Sequence, residues 1–351
     1  MESKKNYIEI GCGYVIMPYD YAHRLGRGAF ADVYRCRKMK DGKILPEVYV
    51  AKEIRFQRKI PSLKEQILSE INIMLQLTGD YTLIVSIYDY FMGTDKENMY
   101  IIMEYCEGGD LDYYTKKNGP LTEKLIAELL HPLAIFFNEI HQRGIIHRDL
   151  KLANVLLAKE LVEGEAPQLR ITDFGLARVM ETEEMAHTKC GTPLYMAPEL
   201  WDKGNKGSEG YTCEVDVWAF GNMLYRMMYG EYAFEDIDIE KRLKQGIIRF
   251  PKIRLASIEA LDLMMKCLRK NPIRRIKFDE IAEHPFFTKK EFEPFERMFD
   301  GYFGFIESNI DNAYDLLGDP GCLGIPEKPK ELIDKHNEEV IAAWQQAKSL
   351  T

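Results

Sequence analysis

Apolar residues recur along this chain with two different periods, and the switches between them mark out its elements. From Tyr21 the residues alternate in strand fashion and run into Leu25-Gly26-Arg27-Gly28-Ala29-Phe30-Ala31-Asp32-Val33, a glycine-bearing turn that leads into another strand. Glu47 to Ile54 is rich in β-branched residues and predicts a strand. Ser62 to Leu77 changes to helical spacing, with Leu63, Ile67, Ile71 and Met74 on one face and Ser62 and Glu65 as a capping box. Val85 to Phe91 and Met99 to Glu104 predict two strands around a turn at Gly93–Asn98. Leu121-Thr122-Glu123 opens a long apolar-periodic helix to about His141, with a kink expected near residues 128–132 because Pro132 removes a backbone donor. Thr212 to Gly230 predicts a hydrophobic central helix, and shorter helices follow near 238–246, 257–269 and 277–287. Residues 158–168 and 202–210 are polar and read as exposed loops, and residues 1–18 carry no assignable function.

Composition narrows the class. A chain of 351 residues, 46% apolar and 29% charged, reads as soluble and globular, and is long enough for one large domain in two lobes. A net charge of −9 argues against nucleic acid as a partner and against a polybasic membrane contact. The cysteines (Cys12, Cys36, Cys106, Cys190, Cys213, Cys267 and Cys322) are odd in number and scattered, with no C-x-x-C pair. They suit a reducing compartment and not a zinc site, so a cytoplasmic location is expected, with the nucleus as the alternative. The charged N-terminus lacks the apolar stretch of a secretory signal, which gives no support for secretion.

Between two apolar runs lies Gly144-Ile145-Ile146-His147-Arg148-Asp149-Leu150-Lys151-Leu152-Ala153-Asn154-Val155-Leu156, and the runs predict short strands flanking a polar loop. The loop concentrates three kinds of chemistry. Asp149 can accept the proton of a substrate hydroxyl, Lys151 can neutralise phosphate charge, and Asn154 can offer a neutral oxygen to Mg²⁺. Gly26 and Gly28 allow a backbone to approach phosphates closely. A glycine pair in a hairpin is by itself more often only a turn.

The string H-R-D-L-x-x-x-N resembles the catalytic loop of protein kinases, and the likeness recurs at several motifs from residue 19 to 287. It implies an α+β fold in two lobes: a β-rich N-lobe with one key helix (19–103), a hinge (104–109) and a mainly helical C-lobe (110–287). It implies ATP and Mg²⁺ as cofactors. The nucleotide would meet Leu25, Gly26, Arg27, Gly28, Ala29, Phe30 and Val33 of the glycine-rich turn, where Ala31 replaces the family's third glycine. Lys52 stands at the place of the phosphate-binding lysine and Glu70 at that of its ion-pair partner, with Glu53 and Glu65 as competitors. Val50 and Leu156 would join Val33 over the adenine. The segment Met103-Glu104-Tyr105-Cys106-Glu107-Gly108-Gly109-Asp110 looks like the hinge, with Glu104 and Cys106 bonding the adenine edge. Asp110 would reach the ribose, although an exposed N-cap explains it equally well.

Asp173 of Asp173-Phe174-Gly175 lies 24 residues after Asp149 and would be the carboxylate ligand of Mg²⁺ beside Asn154. Met74, Ile87, His147 and Phe174 match the stack of side chains aligned in active kinases. Thr188, four residues before Thr192, stands where serine/threonine kinases often carry an activating phosphate, and Arg148 and Arg178 match its clamp. Glu199 is expected to pair with Arg275, and Asp216 to hold the catalytic loop.

Lys151, with Gly191-Thr192-Pro193, is the serine/threonine pattern, so the resemblance implies phosphoryl transfer to protein Ser and Thr hydroxyls and an upstream activating kinase as a partner. Leu176 leans toward serine, and Ala153, where arginine-directed kinases often have Glu, implies no strong demand for upstream basic residues. The hinge and Cys190-Gly191-Thr192-Pro193-Leu194-Tyr195-Met196-Ala197-Pro198-Glu199 look most like autophagy-initiating kinases, which carry a long linker and a second domain, with NIMA-related and calcium/calmodulin-type kinases as neighbours. The alternative is a pseudokinase-like scaffold or binding module acting through the C-terminal extension, against which the intact Lys52, Asp149, Asn154 and Asp173 argue. A small-molecule kinase is a further alternative, against which the Ala197-Pro198-Glu199 segment speaks. That extension, residues 288–351, has 13 acidic and 7 basic side chains and the aromatics Phe292, Phe295, Phe299, Tyr302, Phe303 and Phe305. It is expected to dock on the core and to end in an amphipathic helix over 330–348, with a partner-binding or autoregulatory role.

Overall fold

The computed structural model describes residues 7–27, 31–55, 63–94, 97–174, 193–200, 213–234, 247–248, 256–288 and 308–309. Contacts divide the chain into two compact units, Met1–Leu111 with His147–Gly191, and Asp112–Ile146 with Thr192–Thr351. The first is rich in strands and the second in helices, in keeping with the expected α+β class.

The first unit is built on a sheet whose main path runs β1 (Ile8–Gly11), β2 (Tyr14–Ile16), β4 (Ala31–Lys40), β5 (Lys43–Arg55), β7 (Asn98–Glu104) and β6 (Ile87–Met92), with β3 (Gly26–Arg27) on the start of β4. All pairs are antiparallel, and one register row joins Val33, Lys52 and Ile101. The helix α2 (Leu63–Asp80) buries Ile67, Ile71, Met74 and Leu77, the face its spacing predicts. Residues 8–16, to which sequence assigns no function, form a hairpin within this sheet. The turn Gly11-Cys12-Gly13 takes positive φ at all three residues, which two glycines make inexpensive. Ile10, Tyr14 and Ile16 then join Tyr34, Cys36, Ala51, Tyr100 and Ile102 in a buried cluster on the sheet face away from Lys52. The short helix α1 (Pro18–Ala22) adds Asp20, 5% exposed, which meets Arg35 and Arg37.

The catalytic-loop segment groups with this sheet by backbone bonds. Ile171 accepts from Val85 N–H at 3.0 Å and donates to Leu83 O at 2.6 Å. Of the two apolar runs flanking the loop, the second is a strand, β8 (Val155–Leu157), paired with β9 (Leu169–Ile171). The first is not a strand. Ile145 folds back instead, its N–H donating to Ile140 O at 3.0 Å.

In the second unit, α3 (Leu111–Asn118) leads to α4 (Glu123–Gln142), capped by Thr122, whose side chain accepts from Leu125 N–H. This 20-residue helix runs through Pro132 as one element and buries eight apolar side chains. The central helix α5 (Glu214–Tyr229) is buried almost all round and stops at Gly230, φ 74°. At Gly221 a Cβ would come within 2.7 Å of the Cys267 side chain, so only glycine lets α5 lie this close to α6 (Ile258–Cys267). Arg275 binds Glu199 through both guanidinium nitrogens at 2.6 Å, the expected pair. Three carbonyls, of Arg269, Glu214 and Lys270, satisfy the rest of that guanidinium, which makes the buried charge tolerable. Ile247–Ile248 pairs antiparallel with Ser308–Asn309, so the C-terminal extension touches this unit there. The expected helices near 238–246 and 330–348 lie outside the described residues.

Candidate active site

Pairing and burial in the first unit gather the residues that sequence put on the catalytic loop. Leu150 and Leu152 are buried at 2% and 0%, which anchors the loop on either side of Lys151. Asn154 Nδ2 donates to Asp149 O at 2.7 Å and to Asp149 Oδ2 at 2.9 Å, while Lys151 Nζ reaches the same oxygen at 2.8 Å. Both amide hydrogens of Asn154 are thereby used, and its Oδ1 is left for a cation. Among the described residues Asp149 Oδ1 accepts no bond, so one carboxylate oxygen is held and the other is available.

His147 joins this loop to the next. It is fully buried, and its Nε2 lies 3.0 Å from Thr172 O while Asp149 N–H donates to Nδ1 at 3.2 Å. A carbonyl can only accept and an N–H can only donate, so the hydrogen sits on Nε2. The ring also meets Phe174 at 4.6 Å, and Met74 and Ile87 of the same expected stack are buried. Arg148 and Asp173 both have positive φ, 69° and 62°, an uncommon conformation for residues with a Cβ. Such backbone persists where its surroundings over-determine it, and here it occurs at two positions singled out from sequence.

Lys52 is mostly buried and its ammonium lies 2.5 Å from Asp173 Oδ1. Burial opposes ionisation of Asp173, but Lys52, with Lys151 behind it, outweighs this and holds the carboxyl below its usual range. The side chains of Glu70 and Glu65, two of the expected partners of Lys52, lie outside the described residues. The third, Glu53, points the other way, because neighbours on a strand face opposite sides, and it bonds Tyr100 and Asn98.

The hinge is anchored on both sides of its proposed adenine contacts. Glu104 N–H donates to Ser86 O at 2.9 Å, and its carboxylate is gripped by Arg170 Nε, 3.0 Å from each oxygen. Sequence reasoning missed Arg170, although its place between Leu169 and Ile171 on a short strand puts it on the side facing away from the core. Cys106 is 8% exposed, and among the described residues its N–H donates to no acceptor. A backbone N–H not bonded within the protein is available to a ligand, and an adenine nitrogen would accept from it. Gly108 N–H bonds Leu157 O, and a Cβ at Gly108 would meet Lys159 O at 2.5 Å. Asp110 precedes α3 and forms a backbone bridge with Leu156.

Leu25, Gly26, Arg27 and Val33 lie together, with Leu25 N–H on Val33 O at 2.8 Å. Among the described residues a Cβ at Gly26 would meet only Val33, at 3.7 Å. Gly28, Ala29, Phe30, Arg178 and Thr188 lie outside the described residues. The donor set suits Mg-ATP: oxygens of Asp173 and Asn154 for a hard cation, two lysines for phosphate charge, and an unpaired N–H for the base.

Comparison with known proteins agrees with this geometry. The Protein kinase domain family matches residues 19–287. The serine/threonine-protein kinase ATG1c of Arabidopsis thaliana is 33% identical over 291 residues, 81% of this chain and 37% of the relative. Human serine/threonine-protein kinase ULK3 is 33% identical over 75% of this chain and 53% of its own length, and mouse PLK2 is 34% identical over 76% and 36%. The chain therefore spans well under two thirds of the length of these relatives. A crystal structure of Rad53 residues 1–466 in complex with AMP-PNP superposes with a TM-score of 0.59 at 27% identity, over 75% of this chain and 63% of that one. The catalytic-loop geometry, the match over residues 19–287 and these relatives agree, and the chain belongs to the protein kinase domain family.

Proposed function

We propose that this protein transfers the γ-phosphoryl group of Mg-ATP to serine and threonine hydroxyls of other proteins. The observation that carries the reading is the Asp149 carboxylate, with one oxygen fixed by Asn154 and Lys151 and the other open. When bound, Mg²⁺ would neutralise charge on the β- and γ-phosphates, held by Asp173 and Asn154. Asp149 Oδ1 would orient the acceptor hydroxyl and take its proton, while Lys151, tied to the other oxygen, stays close to the transferring group. Lys52 would exchange Asp173 for the α- and β-phosphates. The Cys106 N–H, the Glu104 backbone and the hydrophobic cover of Val33, Val50 and Leu156 would hold the base, with Asp110 toward the ribose. Catalysis of this kind is mainly placement and charge neutralisation.

In an assay with radiolabelled ATP, Mg²⁺ and generic protein substrates, Asp149→Asn is expected to lower transfer about 100-fold or more while nucleotide binding persists. Undiminished transfer by this variant would refute the reading. A scaffold role would show as wild-type protein that transfers no phosphate. We also propose that an upstream kinase switches activity on through Thr188, whose phosphate Arg148 and Arg178 would clamp. Thr188→Ala should then reduce peptide phosphorylation roughly tenfold, and full activity in that variant would sink the switch. A reducing, cytoplasmic setting is proposed too, and Cys12, Cys36, Cys106, Cys213 and Cys267 are free thiols.

A further inference from the structure

Asp32 on β4 and Glu53 on β5 are register partners, and Glu53 in turn stands opposite Tyr100 on β7. The row is buried, with exposures of 2%, 9% and 6%. Like charges directly opposite across a ladder repel, and a buried carboxylate is costly unless it is bonded. This protein keeps both and surrounds them with donors. Tyr100 donates its hydroxyl to Glu53 Oε1 at 2.5 Å, and Asn98 Nδ2 donates to the same oxygen at 3.2 Å. The Tyr34 hydroxyl stands 3.2 Å from Asp32 Oδ2 and 3.5 Å from Glu53 Oε2. Arg55 closes on Asp32 Oδ2, while Asp32 Oδ1 has no partner among the described residues.

An apolar row would hold three strands together at lower cost, since buried ionic groups are weak sources of stability. What a bonded polar row adds is direction. It admits one register and one twist, because any slip breaks short bonds in low dielectric. The row immediately next to it, on the opposite face, is Val33, Lys52 and Ile101. Lys52 is therefore flanked on its own strand by a residue whose side chain is bonded to β7 and faces an acid on β4.

We propose that the row Asp32, Glu53 and Tyr100 is a positioning device for Lys52, fixing β5 so that the ammonium meets Asp173 and the nucleotide phosphates. Glu53 and Tyr100 touch no reacting atom and act through the strand. The proposal rests on the phosphoryl-transfer reading. Its test compares wild type, Tyr100→Phe, Glu53→Leu and Glu53→Gln in the full chain, by equilibrium Mg-ATP titration, transfer kinetics and thermal melting.

Tyr100→Phe and Glu53→Leu are expected to raise Kd and KM for ATP about tenfold, well inside the ~100-fold that a 1 Å misplacement costs. Their kcat at saturating ATP should stay within about twofold of wild type. Glu53→Gln, which still accepts from Tyr100, should retain ATP affinity within roughly threefold. A merely structural row would lower Tm in both disruptive variants and leave Kd, measured far below Tm, unchanged, which overturns the proposal. Equal loss in Glu53→Gln and Glu53→Leu also overturns it, because the effect would then be charge and not placement. Should Glu53→Leu fail to fold, Tyr100→Phe decides alone. Wild type that binds Mg-ATP but transfers nothing refutes the phosphoryl-transfer reading and leaves the affinity comparison standing.

Discussion

His141 and Asp216 show how one buried pair sets a pH limit. His141 Nε2 lies 2.9 Å from an Asp216 carboxylate that is itself fully buried. Burial alone would lower the imidazole pKa, but the bond to Asp216 outweighs it, with Cys213 adding to the rise, and the value is raised to about 9. A folded-state pKa above the unfolded value of ~6.5 means that the pair's stabilisation is complete below that pH and fades as pH rises through about 9. Unfolding free energy should therefore fall by up to about 3 kcal/mol between pH 6.5 and 9.5. Denaturant titrations across that range check this. His141→Gln should flatten the slope, and an unchanged slope would dismiss the pair as its source. At this scale the candidate residues Asp149, Lys151, Asn154, Lys52 and Asp173, which the structure brings together, were legible because short motifs carry them. The tautomer of His147 and the grip of Arg170 on Glu104 were not, since each depends on a partner distant in sequence, the Thr172 carbonyl for one and the Glu104 carboxylate for the other.

Among elements, the N-terminal hairpin departs furthest from expectation. Residues 8–16 alternate around a Gly-Cys-Gly turn, a readable hairpin signal whose destination was not readable. Ile10, Tyr14 and Ile16 are each at most 2% exposed. Large apolar side chains buried to this degree are worth about 1.5–3 kcal/mol each, so removing three costs on the order of 5 kcal/mol or more. That is comparable to the whole stability of many domains. A chain beginning at residue 19, where the family match begins, should therefore melt at least about 10 °C below the full chain or fail to fold. Scanning calorimetry on both chains tests this, and equal melting temperatures would show the hairpin to be dispensable. The long periodic elements were otherwise legible. The helices α2, α4 and α5 bury the faces their spacing predicts, and α4 continues as one element past Pro132, its buried face holding the turns on either side.

Over the whole molecule, the division into two units was harder to read than either set of elements. The resemblance puts residues 147–174 in the mainly helical lobe, 110–287. Contacts group them with the sheet, through the bonds of Ile171 to the segment before β6 and of Leu157 to the hinge. Such long-range bonds leave no periodic trace. The acidic extension pairs with Ile247–Ile248 at Ser308–Asn309, and the aromatics on which docking was expected lie outside the described residues.

Gly108 ties these scales together. Its backbone lies so close to residues 157–159 that no side chain fits between them. The hinge and the strand that follows the catalytic loop are thus exchangeable only as a single part, since grafting one without the other would break the seam where they meet.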